Sequence, residues 1–336
     1  MPESAFEGDV PLAVATRGGH VESLHRGTVA VVTPEGELVA GLGNGSQRTF
    51  MRSSAKPFQA MALVLTGAAD ALELRDEDLA IAASSHSGEP GHVTAVKRLL
   101  EKAGVPPEAL RCGTHTPLNA SAARALQSAG EDPSPVHNNC SGKHAGMLAA
   151  CCFMGWPLDT YLQPDHPLQR LNREVLGTFV GRDPSDIDLG VDGCGVPVFH
   201  VAVREIALAF ARLATGRSLP PEFSRAASRV RTAMMTYPFL VAGTGRFDTE
   251  LMSAADGRLV AKGGAQGGEG IGALDGVGIG IKISDGSSQS MWPVAGRLLE
   301  RLDLSTAGLA GQDHLRRVEL RNHAGTVTGA IEACFS

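Results

Sequence analysis

Gly27-Thr28-Val29-Ala30-Val31-Val32-Thr33-Pro34-Glu35-Gly36-Glu37-Leu38-Val39-Ala40-Gly41-Leu42 is the stretch from which the fold is read. Two runs rich in branched apolar residues flank Pro34-Glu35-Gly36, with Pro and Gly in turn positions, and this predicts a β-hairpin. Upstream, Leu12–Thr16 is a short apolar run that reads as a strand. At the far end, Val318–Cys334 reads as two closing strands. Between these ends the period changes. Phe58, Met61, Ala62 and Leu65 recur at helical spacing, and Lys56-Pro57 suits a helix's first turn. Ala80–Ala83 is a buried strand or a helix end, followed by a polar loop at Ser84–His92 and a helix at Val93–Ala103 with a basic outer face. Val203, Ile206, Phe210 and Leu213 form one apolar stripe that Gly216 stops. Pro220–Tyr237 and Ser287–Leu302 read as further helices. Nine glycines fall between Gly263 and Gly280, a stretch that could pass for a flexible linker. However, Val277–Ile283 alternates Gly with branched apolar residues, the pattern of a tightly packed strand. Strands at both ends with helices between predict one α/β domain over residues 1–336 whose terminal strands share a sheet.

Hydrophobic residues make up 43% of the 336, enough for a sizeable core, but aromatics are only 4%, so the core must rest on Ala, Val, Leu and glycine-mediated close packing. Lys plus Arg is 30 against 36 Asp plus Glu, a net charge of −6, and this mild acidity argues against nucleic acid, which is bound by clustered positive charge. The balance is that of a soluble cytoplasmic protein. Met1–Val14 carries Glu3, Glu7 and Asp9 and has no basic region followed by an apolar one. The longest apolar stretch, near Gly146–Leu158, is shorter than the roughly 20 residues of a membrane span. The six cysteines, at 112, 140, 151, 152, 194 and 334, form no Cys-x-x-Cys and are read as reduced.

Arg52-Ser53-Ser54-Ala55-Lys56-Pro57 holds Ser-x-x-Lys at a predicted helix start. Residues three apart on a helix share a face, so Ser53 and Lys56 can meet. A serine hydroxyl is a poor nucleophile until a neighbouring base takes its proton. A lysine serves only where burial or a nearby cation keeps it neutral. Free N–H groups at the helix start could hold an oxyanion. The plain alternative is an N-capping serine with a solvated lysine. Asn138-Asn139-Cys140-Ser141-Gly142-Lys143-His144-Ala145-Gly146 is the second feature. Three readings compete there: Cys140 as a nucleophile with His144 as base, Cys140 as a metal ligand, or a tight loop with an inert thiol. Cys194, exposed by glycines on both sides in Asp192-Gly193-Cys194-Gly195, is the natural distant partner for a zinc shell of cysteines. Gly41-Leu42-Gly43-Asn44-Gly45 is not a dinucleotide fingerprint, because no helix with the third glycine follows in register. His86, Glu89 and His92 are three apart, but Gly88, Pro90 and Gly91 break a helix there, and a polar loop is expected.

Taken together, the motifs resemble the asparaginase II family, the rhizobial-type L-asparaginases. The likeness runs from Thr16–Gly27 through Arg52–Pro57, Ser84–Glu89 and Cys140–Gly146 to Asp192–Pro197, Lys262–Ala265 and Lys282–Gly286. It implies an α/β fold similar to the serine β-lactamases and penicillin-binding proteins, with Ser-x-x-Lys, a second serine motif and Lys-x-Gly on a strand. It implies two Ser–Lys pairs, Ser53–Lys56 and Ser85–Lys262, and zinc carried on Cys140, Lys143 and Cys194 with Asp192 close by. The implied reaction is hydrolysis of L-asparagine, with Ser53 attacking, and Arg52, His144 and Asp192 gripping the α-amino and α-carboxylate groups. It also implies a homodimer, with no nucleic-acid or membrane partner. The chain departs from the family's Lys-x-Gly-Ala-Glu-Gly at Gln266, which removes a negative charge near Lys262. Rival readings are a Cys140-dependent thiol amidohydrolase, a β-lactamase or peptidase, and a zinc- or amino-acid-binding protein without catalysis. A lysine base predicts activity that rises toward alkaline pH.

Overall fold

The computed structural model describes residues 6–335, which form two compact units. The first comprises the chain up to Ser54, Val201–Thr215 and the chain from Leu251 on. It is built on an eight-stranded sheet: β1 (Val10–Arg17), β2 (His20–Val32), β3 (Leu38–Leu42), β4 (Leu259–Gly264), β5 (Gly268–Ala273), β6 (Val277–Ile283), β7 (Arg317–Arg321) and β8 (Val327–Ala333). The order across the sheet is β7-β8-β1-β2-β6-β5-β4, with β3 on β2. The terminal strands pair as expected: β1 lies antiparallel to β8 with Ala13 opposite Ala333 and Ala15 opposite Ile331. The predicted hairpin is present, Val29 opposite Leu42 and Val31 opposite Ala40. β2 begins at His20, seven residues before the expected start. That first half is largely exposed and lacks an apolar alternation. It is a strand because the Gly18-Gly19 turn, both residues at positive φ, folds it back on β1.

The even residues of β2 face one layer and the odd residues the other. Ala30 and Val32 pack on Val203 and Ala207 of the helix Val203–Thr215. Val29 and Val31 face Leu298 of the helix Met291–Arg301. The glycine run is sheet, as the alternation predicts for β6. Its glycines that face the helix Val203–Thr215 have no room for a side chain: a Cβ at Gly278 would sit 2.0 Å from the Ala207 carbonyl oxygen, and one at Gly280 2.3 Å from that of Val203. The helix backbone lies directly on the strand.

The second unit, Ala55–His200 with Gly216–Glu250, is mainly helical. The helix Lys56–Leu65 packs against Ser141–Met154, Pro167–Val180 and Pro221–Thr236. Ser141–Met154 is buried from Ser141 through Cys151, so it shows no amphipathic stripe. It approaches Asp76–Ala82 closely because Gly142 has no side chain; a Cβ there would meet the Ile81 carbonyl oxygen at 2.1 Å. That contact brings the segment after Ala82 beside Cys140. The expected loop at Ser84–His92 is shorter than predicted: a helix spans Pro90–Lys102. Pro90 does not break it but opens it, since a proline at the first helical position lacks only an N–H that would be orphaned anyway. A strand pair, Asp188–Val191 with Pro197–Ala202, presents the turn that carries Cys194. Among the described residues no helix is long and apolar enough to cross a membrane.

Candidate active site

Lys56 opens its helix with its side chain 1% exposed. Its Nζ donates to Ser85 Oγ at 2.9 Å and to Cys140 Sγ at 3.2 Å. Three motifs separated by 29 and 84 residues thus meet at one lysine nitrogen. Ser85 is buried in the loop after Ala83, where its N–H donates to the Val241 carbonyl at 2.8 Å. Cys140 sits in the turn before its helix, and its N–H donates to Asn138 Oδ1 at 2.8 Å. Asn138 in turn donates to the Cys112 carbonyl at 2.9 Å, which ties the turn down.

Cys140, Lys143 and Cys194 come together, as the resemblance implies. Lys143 Nζ donates to Cys194 Sγ at 2.9 Å. The Cys140 thiol is held well below its usual range by the hydrogen bond from Cys194; burial opposes this, and Lys56 and Lys143 reinforce it. Cys194 is pushed up by that same bond and by burial. Burial disfavours charge on Lys143, but Cys140, Cys194 and Asp192 outweigh it and raise its pKa. Among the described residues no group of three or more His, Cys, Asp or Glu could hold a metal. A zinc ion here therefore needs Lys143 as a third donor beside two sulfurs. The donors suit zinc in chemical type, with the metal taking the place of the proton on Lys143.

His144 is fully buried, and burial first, then Lys143 and Lys56, hold it neutral. Tyr161 OH accepts the Arg111 N–H at 3.0 Å and is hydrogen-bonded to His144 Nδ1 at 2.6 Å. His144 Nε2 is left buried without a partner among the described residues. Asp192 accepts the Gly193 N–H at 2.8 Å and lies near enough to Lys143 to favour its charge.

In the sheet unit, Arg52 takes φ +51°, a left-handed conformation costly for a residue with a side chain, immediately before half-buried Ser53. Arg52–Ala55 is a 3-10 turn. Gly264 lies against it; a Cβ there would stand 2.5 Å from the Met51 carbonyl oxygen. The strand carrying Lys262 is therefore beside the turn carrying Ser53. Lys262 is buried, and its Nζ donates to the Gly263 carbonyl at 2.9 Å. Gln266 occupies the exposed β4–β5 turn at φ +62°. Sequence reasoning did not single out Tyr161, or His86 as a member of the site. His86 had a signal, its place between Ser85 and Ser87 in a quoted motif, but its partners are distant in sequence.

The chain matches the L-asparaginase II family over residues 13–333. It belongs to that family. The L-asparaginase II proteins are amidohydrolases, which places this chain among enzymes acting on amide C–N bonds. No curated protein sequence matches it. Similar solved structures include Mglu in its glutamate form, at 18% identity over 87% of this chain and 63% of that one, TM-score 0.40. A putative β-lactamase from Bacteroides dorei DSM 17855 is 12% identical over 82% of this chain and 93% of that one, TM-score 0.42. Bacillus glutaminase is 15% identical over 83% and 91%, TM-score 0.38. The chain spans 59% to 67% of the length of the first Mglu chains it matches.

Proposed function

We propose that this L-asparaginase II family member hydrolyses L-asparagine to L-aspartate and ammonia through Ser53. The observation that carries the reading is buried Lys56, reached from the Ser-x-x-Lys motif and hydrogen-bonded to Ser85 at 2.9 Å. Neutral Lys56 takes the Ser53 proton, and Ser53 Oγ bonds to the side-chain amide carbon. N–H groups of the turn and of the strand carrying Gly264 are suited to the oxyanion. As the C–N bond breaks, Ser85 passes the proton from Lys56 to the departing nitrogen, and water then hydrolyses the acyl ester. Lys262 enters as the family's second base, on resemblance. Arg52, His144 and Asp192 grip the α-amino and α-carboxylate groups, with the unpartnered His144 Nε2 supporting a contact to substrate oxygen. Zinc would be held by Cys140, Lys143 and Cys194, and when bound it supplies positive charge that polarises an oxygen. Asparagine and glutamine differ by one methylene, worth about 1–3 kcal/mol of discrimination. The chain acts as a homodimer, again on resemblance.

The test is ammonia release from L-asparagine by wild type, Ser53→Ala and Cys140→Ser. Loss in Ser53→Ala supports the serine route. A second reading, a thiol amidohydrolase, draws on the lowered Cys140 thiol at Lys56. It requires the reverse outcome, loss in Cys140→Ser with Ser53→Ala active. Metal analysis of wild type and Cys194→Ser tests the zinc ligands, with metal expected only in the wild type.

A further inference from the structure

His86 stands next to Ser85 and is fully buried, yet every polar atom of its backbone N–H and ring is spoken for. Its N–H donates to the Asn139 carbonyl at 3.1 Å. Its ring Nε2 lies 2.8 Å from Ser141 Oγ, and its Nδ1 accepts the Gly88 N–H at 3.1 Å. Ser141 spends its one hydroxyl proton on the Val136 carbonyl at 2.8 Å, so Oγ can only accept from His86. These bonds select one neutral tautomer, proton on Nε2 and lone pair on Nδ1. Asn139 and Ser141 are the two neighbours of Cys140. One residue therefore grips the Cys140 turn on both sides of the sulfur that faces Lys56, while its own chain neighbour Ser85 faces Lys56 from the other loop. The ring is further fixed by stacking on His92, centroids 5.1 Å apart and planes 12° apart. His92 is itself tied by the Glu89 N–H at Nδ1 and by its Nε2, which donates to the Phe239 carbonyl at 2.8 Å.

We infer that His86 is a positioning residue that sets the separation of Ser85 and Cys140 across Lys56, and takes no part in proton transfer itself. Both ring nitrogens are already engaged, one giving and one receiving, so the imidazole has no free site for a substrate proton. This inference rests on the amidohydrolase reading for its kinetic effect and on geometry alone for its tautomer.

Two measurements test it on the full-length protein. In kinetics, His86→Ala should lower kcat about 100-fold with KM little changed, the scale of a misplacement of about 1 Å. His86→Gln, which keeps a donor able to reach Ser141, should recover most of that loss. Ser141→Ala, which removes only the acceptor, should fall between. Val175→Ala, at a buried position of the helix Pro167–Val180, which carries none of these residues, controls for destabilisation and should keep wild-type kcat per folded molecule. Wild-type kcat in His86→Ala, or a loss shared equally by His86→Gln, overturns the inference. In nitrogen NMR of histidine-labelled protein, the signal that disappears in His86→Gln should report protonated Nε2 and unprotonated Nδ1, unchanged between about pH 5 and 8, the range in which an ordinary histidine titrates. A ring that titrates in that range, or carries its proton on Nδ1, also overturns it. If the wild type releases no ammonia, the amidohydrolase reading fails by itself, and the nitrogen signal decides the clamp.

Discussion

Asp78 has no exposed side-chain surface, yet it carries a charge held by Arg98 at 2.8 Å, Lys102 at 2.9 Å and the Arg75 N–H at 2.9 Å. Burial works against that charge, and the three donors outweigh it, so its pKa is lowered. Asp78→Asn should therefore destabilise the protein by about 1–3 kcal/mol in urea unfolding, below the cost of breaking a dry pair because both cationic partners reach solvent. A neutral outcome would mean the pairs contribute nothing. Gly264→Ala acts on activity. Its Cβ would sit 2.5 Å from the Met51 carbonyl oxygen, so the turn carrying Ser53 must move. We expect kcat to fall about 10-fold or more per folded molecule, together with a lower thermal midpoint because the clash is with backbone; wild-type turnover would show that the turn tolerates the shift. Gln266 lies in an exposed turn, where a restored glutamate would be screened by solvent, so Gln266→Glu should change turnover by less than about threefold.

At the scale of elements, β5 and β6 accept the helix Val203–Thr215 only because glycines line the contact. Gly280→Val would drive a side chain into the Val203 carbonyl oxygen and Ala207. The expected cost is about 1–3 kcal/mol or more, read as a lower urea midpoint, and an unchanged midpoint would contradict the close contact. This packing was visible in sequence as the alternation of Gly with Val and Ile in Val277–Ile283, because a period of two survives where every second residue is absent. The hairpin at Thr33–Glu37 was equally legible from its Pro-Glu-Gly turn. Other elements left weaker traces. Ser141–Met154 is buried almost all round and has no polar face to mark its period. The exposed half of β2 exists through its pairing rather than its composition. The helix start at Pro90 turned on reading proline as a breaker rather than an opener.

For the molecule as a whole, acid should be the destabilising direction. His86 and His92 have lowered pKa values, chiefly from burial, with neighbouring cations adding to it. A group with a lowered folded pKa lends stability that is complete above its unfolded value, about 6.5 for histidine, and is withdrawn as pH falls toward the folded one. Asp78 follows the same sign from about pH 4 downward. The urea midpoint should hold from about pH 8 to 7 and decline steadily from 6 to 4. A maximum near pH 5 would refute that assignment. The site itself was half legible. Ser-x-x-Lys and the cysteine motifs could be picked out locally, but the meeting of Lys56 with Ser85 and Cys140 depends on helix packing that no spacing encodes.

The pairing of β1 with β8 has a consequence for the chain as it leaves the ribosome. Ala15 waits for Ile331, so the sheet cannot close until translation has added more than three hundred further residues. At synthesis rates of about 5–20 residues per second, that delay is roughly 15–60 s. During this interval the first hairpin is a nascent segment with one open edge, and the helical unit, encoded in between, has the first opportunity to fold. A message that stops short of Val327 would yield a polypeptide whose opening strands never receive their last neighbour.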